Sequence, residues 1–239
     1  MQSHIRYTVA ALVIVAGAPL LASDPGTGNW PMWGGTPDRN MVSTMKGLPA
    51  SWDVPGKKNV KWEAALGSQT YGNATVAGGK VFVTDYVRTS GEAKNDFGSR
   101  AELQGKERVL CLNAADGAVL WRKDLNADYK TRTPTWGLTA APLVDRGLVI
   151  VQAGGEQACL VAFDKATGDI KWEQKRPQAI YAHSTPVIVD VNGKAQMLVS
   201  ANKAIESLNH DNGEMIWWCA APGGWAPSSL KVMRSCKAH

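Results

Sequence analysis

An eleven-residue frame recurs three times in this 239-residue chain, and it constrains the fold more than any other feature. Cys111-Leu-Asn113-Ala-Ala-Asp-Gly117-Ala-Val-Leu-Trp121 aligns without gaps on Ala162-Phe-Asp164-Lys-Ala-Thr-Gly168-Asp-Ile-Lys-Trp172 and on Ser207-Leu-Asn209-His-Asp-Asn-Gly213-Glu-Met-Ile-Trp217. Each copy has Asp or Asn at its third position, Gly at its seventh and Trp at its eleventh, and the glycines fall 51 and 45 residues apart. The frame reads as a hairpin. The Asp or Asn side chain accepts backbone N–H groups of the turn that follows, and Gly four residues later supplies a positive φ. Trp then stands in the outgoing strand, where its ring can cover a neighbouring sheet.

Around each frame, β-branched and aromatic runs ended by Gly, Asp or Asn supply the remaining strands. Turns at Gly78-Gly79, Asp145-Arg146-Gly147 and Asn192-Gly193 join the first two strands of each unit. Four short antiparallel strands in about 45 to 50 residues are the period and content of a propeller blade. The fold class is therefore all-β, a partial β-propeller of three full four-stranded blades plus fragments. The blades span about 71–125, 139–176 and 184–221 within a repeat region of 59–229, flanked by an N-terminal extension, 23–58, and an atypical tail, 230–239.

The copy Ala162-x-Asp164-x-x-Thr167-Gly168-x-x-x-Trp172 resembles the tryptophan-docking motif of quinoprotein dehydrogenases and of their non-enzymatic relatives, which include the propeller lipoprotein of the outer-membrane barrel-assembly machinery. The opening Asn29-Trp30-Pro31-Met32-Trp33-Gly34-Gly35, with Gly47-Leu48-Pro49 and Asn59-Val60-Lys61-Trp62, is similar to the start of exported bacterial proteins of this group. The resemblance covers about residues 29 to 229. It implies seven or eight blades around an axis, each docking its Trp on the next. Asn59 to Leu66 then reads as a lone outer strand, while Lys231 to His239 shows neither strand alternation nor the frame. Three blades do not close a ring, so a truncated or frameshifted product with self-associating open edges is expected, with a genuinely short protein as the alternative.

The first residues, His4 and Arg6 before an apolar run from Tyr7 to Ala22, have the shape of a secretory signal peptide over 1–22. The run is shorter than the roughly 20 residues of a membrane span, so an exported, periplasmic or extracellular chain without a span is expected. Removing it lowers the formal charge from +5 to about +4, with both signs interspersed. No long basic stripe remains for a nucleic acid. Cys111, Cys159, Cys219 and Cys236 contain no CxxC, so a metal cluster is not expected. The first three of them read as small residues packed between sheets rather than as bridges.

An aromatic residue precedes the first strand of each unit: Tyr71, Trp136, Tyr181 and Trp225. Together with His183 they are expected at one mouth of the axial channel, either as a rim that contacts a peptide, a glycan or a protein edge or as packing between blades. His210 lies in a hairpin turn and is expected in solvent. The polar stretch Tyr86 to Arg108 reads as an insert between strands. Asn113, Gly117, Trp121, Asp164, Gly168, Trp172, Asn209, Gly213 and Trp217 are expected to dock blades, with no catalytic residue, metal or cofactor. A non-catalytic binding scaffold is the leading reading. The first alternative is a quinoprotein dehydrogenase using pyrroloquinoline quinone (PQQ) and calcium, although the adjacent cysteines of the alcohol dehydrogenases and an axial carboxylate are missing from the sequence. A carbohydrate-binding propeller is the other alternative.

Overall fold

The computed structural model describes residues 28–68, 72–90, 104–129, 140–154, 160–176, 184–200, 204–220 and 236–238. The first blade comprises β1 (Thr75–Ala77), β2 (Lys80–Ser90), β3 (Gln104–Asn113) and β4 (Val119–Asp124), followed by a one-turn helix α1 (Leu125–Tyr129). β5 (Leu143–Asp145), β6 (Leu148–Val151), β7 (Leu160–Asp164) and β8 (Ile170–Gln174) form the second. β9 (Val187–Val191), β10 (Lys194–Ser200), β11 (Ala204–Leu208) and β12 (Met215–Ala220) form the third, and β13 (Cys236–Ala238) adds to its outer edge. Every sheet is antiparallel with its strands in chain order, the topology of a propeller blade.

Core lies between blades rather than within them. In β6 and β7, Val149, Val151, Val161 and Phe163 pack toward the first blade with Phe82, Val109, Cys111 and Trp121. The alternate residues Ile150, Leu160 and Ala162 pack toward the third blade with Met197, Val199 and Leu208. A strand covered on both faces has no polar position, which explains the unbroken apolar runs Leu148–Val151 and Leu160–Phe163. The open face of the first blade, Val83, Leu110 and Leu112, is covered by Trp62 and Ala64 of the N-terminal extension.

Three expectations change. Residues 59–66 form no strand; Trp62 reaches the first blade from irregular backbone. The two ends of the Tyr86–Arg108 stretch are paired strand rather than insert, because β2 continues to Ser90 and β3 starts at Gln104, with Asp85 paired across the ladder with Arg108; residues 91–103 lie outside the described residues. The tail is not wholly irregular either: β13 sets Ala238, Lys237 and Cys236 opposite Trp217, Trp218 and Cys219.

Candidate binding site

The three frames build one turn three times. Asn113 Oδ1 accepts the N–H of Ala115, Asp164 Oδ1 those of Ala166 and Thr167, and Asn209 Oδ1 that of Asp211. The glycines follow at φ +77°, +78° and +76°, each donating its N–H to the carbonyl four residues earlier. A β-bulge precedes each turn, at Cys111/Leu112, Ala162/Phe163 and Ser207/Leu208. The positive φ and the missing Cβ serve together, because a tryptophan lies on each glycine. A Cβ at Gly117 would meet the Trp62 ring at 2.6 Å, one at Gly168 the Trp121 ring at 2.8 Å, and one at Gly213 the Trp172 ring at 2.6 Å. Trp62 and Trp121 also donate their indole N–H to the carbonyls of Ala114 and Lys165. Trp121 is held between Phe82 and Phe163, with ring centroids 6.0 and 6.1 Å away. Trp217 instead donates its indole N–H within its own blade, to Gln196 Oε1 at 3.0 Å.

A segment that the frames do not reveal runs along the inner strands. Trp30 exchanges backbone hydrogen bonds with Val76 of β1, and the Pro31 carbonyl accepts the N–H of Val144 of β5. Met32 is buried in the core between the second and third blades. Arg39 lies 5.7 Å from the Trp33 ring centroid and donates to the carbonyl of Thr185, where the third blade begins. Residues 30–39 therefore strap three blades together at their inner ends. Four more hydrogen bonds meet beside that point: Thr185 Oγ1 accepts the N–H of Ala141, Ser184 Oγ donates to the Ser200 carbonyl, and Gln152 bonds both the Ser184 carbonyl and Arg176. The Trp-Pro-Met-Trp segment has no alternation and no frame, so the only signal of its role was its density of large apolar residues. The rim aromatics Tyr71, Trp136, Tyr181 and Trp225, together with His183, lie outside the described residues, as do 1–22 and Cys159.

Charged side chains gather between the second and third blades. Arg176 bonds Glu206 with both side chains fully buried. Nearer the surface, His210 Nδ1 stands 2.7 Å from Asp145 and 2.8 Å from Arg146, whose guanidinium also bonds Asp211. His210 is thus an interblade residue with little exposure rather than a solvated one, a correction that required knowing which turn the third blade presses against. The Arg146 guanidinium holds the Asp211 carboxyl below its ordinary range. Cys111 is buried and free, and burial pushes its thiol up to about 11, so it is no nucleophile at neutral pH. Cys219 is disulfide-bonded, which overturns its reading as an unbridged strand residue, and Cys236 stands opposite it in the register. Among the described residues no group of three His, Cys, Asp or Glu converges as metal ligands would.

The extension between the strap and Trp62 is the most exposed apolar part of the described chain. Met41, Val42, Met45, Leu48, Trp52 and Val54 all face solvent within fourteen residues, Trp52 at 71 % exposure.

Comparison with known proteins falls on the same architecture. The family model described as outer membrane protein assembly factor BamB matches residues 94–222, more than half of the chain. No curated protein sequence matches. Among solved structures, a europium-containing methanol dehydrogenase is similar with TM-score 0.54 and 14 % identity, over 82 % of this chain and 32 % of that one. Quinohemoprotein alcohol dehydrogenase ADHIIG from Pseudomonas putida HK5 has TM-score 0.53 and 19 % identity, over 82 % and 27 %. BamB from Moraxella catarrhalis has TM-score 0.36 and 14 % identity, over 66 % and 36 %. The chain spans about a third or less of the two dehydrogenases, and at such identities the likeness concerns the fold alone.

Proposed function

The chain belongs to the PQQ-like propeller family whose model is described as outer membrane protein assembly factor BamB, and from that premise we propose that it is an exported, non-catalytic scaffold that binds a protein. The observation that carries this reading is the row of exposed apolar side chains from Met41 to Val54, joined at one end to the strap and at the other to the docked Trp62. Large apolar groups cost free energy in water unless a partner covers them. Here they are held on a segment anchored at both ends, so a partner would meet them with part of the ordering entropy already lost. Asp85, Glu206, Arg108 and Arg176 are committed to pairs within the fold, as a scaffold requires.

The test has two arms. With PQQ and calcium added to the purified chain, a scaffold keeps its melting temperature, since only a ligand that binds the folded state raises it. A dose-dependent rise, with dye reduction on adding alcohols, would establish the quinoprotein dehydrogenase instead. On an array of extended apolar peptides and oligosaccharides, retention on peptides is expected, reduced several-fold by Met41→Ser with Trp52→Ser. Retention on oligosaccharides alone would make the chain a carbohydrate-binding propeller.

A further inference from the structure

Docking alone does not say which blade stacks on which. The three turns share the same side-chain and backbone hydrogen bonds and each receives a tryptophan ring on its glycine, so a blade from a second copy of the chain would be received by the same ring contact. What differs between the two interfaces is charge. Four residues past the docking Trp stands Leu125 after the first blade and Arg176 after the second; three residues before the turn's Asp or Asn stands Val161 in the second blade and Glu206 in the third. Leu125 and Val161 share the apolar core between the first and second blades. At the corresponding place between the second and third blades, Arg176 and Glu206 form a fully buried ion pair. The surface end of the interface repeats the contrast. Between the first two blades the matching positions are Ala77 and Gly78 on one side and Lys165 and Ala166 on the other; in the next interface they are Asp145 and Arg146 against His210 and Asp211.

We propose that these two charged sets are a pairing key that matches the second blade to the third and disfavours a second blade on another second blade or a first blade on a third. If the first blade stacked on a third blade, Leu125 would face Glu206 and leave a carboxylate buried without its cation. If the second blade stacked on a second blade of another copy, Arg176 would face Val161, and Arg146 would find Ala166 where the third blade sets Asp211. Each mismatch strands a buried charge, whereas the correct stack satisfies it. A buried pair adds little net stability over an apolar pair of similar volume, but losing one partner is expensive, so the pair acts on choice of partner more than on stability.

The experiment uses the full chain. Arg176→Leu and Glu206→Val are each expected to lower the folding equilibrium constant by about two to three orders of magnitude, read as a fall in the urea midpoint. The double variant Arg176→Leu/Glu206→Val copies the preceding interface and is expected to recover the wild-type midpoint. After refolding from urea at rising protein concentration, it should form several-fold more dimer and larger species than the wild type by light scattering. The charge-swapped Arg176→Glu/Glu206→Arg chain keeps a key within one copy and should refold with the wild-type distribution. A double variant that refolds no differently from the wild type would overturn the proposal, as would a swapped chain that mis-assembles like the neutral double variant. If neither single variant folds, those two double variants still decide it.

Discussion

At the scale of single residues, one frame position accepts two chemistries: Asp164 does with a carboxylate what Asn113 and Asn209 do with an amide. Hydrogen bonds from the backbone N–H groups of Ala166 and Thr167, together with Lys171, hold the Asp164 carboxyl below the ordinary carboxylate range. A depressed folded value contributes stability above the unfolded pKa of about 3.9, and that contribution is lost as pH falls through the folded value. Asp164→Asn should therefore keep the turn, since Asn already serves in the other two, but lose less stability than the wild type between about pH 5 and pH 2. Urea titrations of both proteins at pH 6 and pH 2.5 measure the difference, and parallel losses would mean that the N–H bonds do not distinguish the charged form. Gly168 has no such latitude, because its φ of +78° and the Trp121 ring both exclude a side chain.

At the scale of elements, each blade is a four-stranded meander, and the outer strands of the first two carry the Trp that seats on the next turn. Trp172 shows 8 % exposure, in the core with Ile150, Leu160 and Met197, whereas Trp52 stands in solvent. Trp172→Ala should cost about 3 to 5 kcal/mol, the range for buried large aromatics, and Trp52→Ala should stay within about 0.5 kcal/mol. Equal shifts in chemical denaturation would count against docking as the source of interblade stability. The hairpins were legible from sequence because turn chemistry and strand pattern are set by residues within a dozen positions of each other. Residues 59–66 show the limit of such local signals: Val60 and Trp62 carry an apolar pattern, but no strand forms, because pairing depends on a neighbour that pattern alone does not supply.

At the scale of the whole molecule, the strap converts a row of separate sheets into one body. It pairs with β1, caps β5 and reaches the start of the third blade through Arg39, while Met32 is buried among residues of two blades. Met32→Ala should destabilise the chain by about 2 to 5 kcal/mol through the cavity it leaves. Because the strap joins blades, the loss should appear as reduced cooperativity as well as a lower midpoint. Hydrogen exchange on Met32→Ala should then show the three blades opening at different free energies, and uniform exchange across them would mean that the strap adds stability without coupling.

The amino-acid sequence alone determined the blade: its strands, its turn with Asp or Asn and Gly, its Trp, and a core-forming pattern apolar on both strand faces. Those are local facts, decided by backbone sterics and by side chains a few positions apart. The tertiary structure alone decided that residues 30–39 lie along the inner strands, that His210 meets Asp145 and Arg146, that Cys219 is bridged, and that β13 covers the outer edge of the third blade. Each of these joins residues distant in the chain. Three copies of one frame build the same turn, and what the tertiary structure sets against each copy tells them apart.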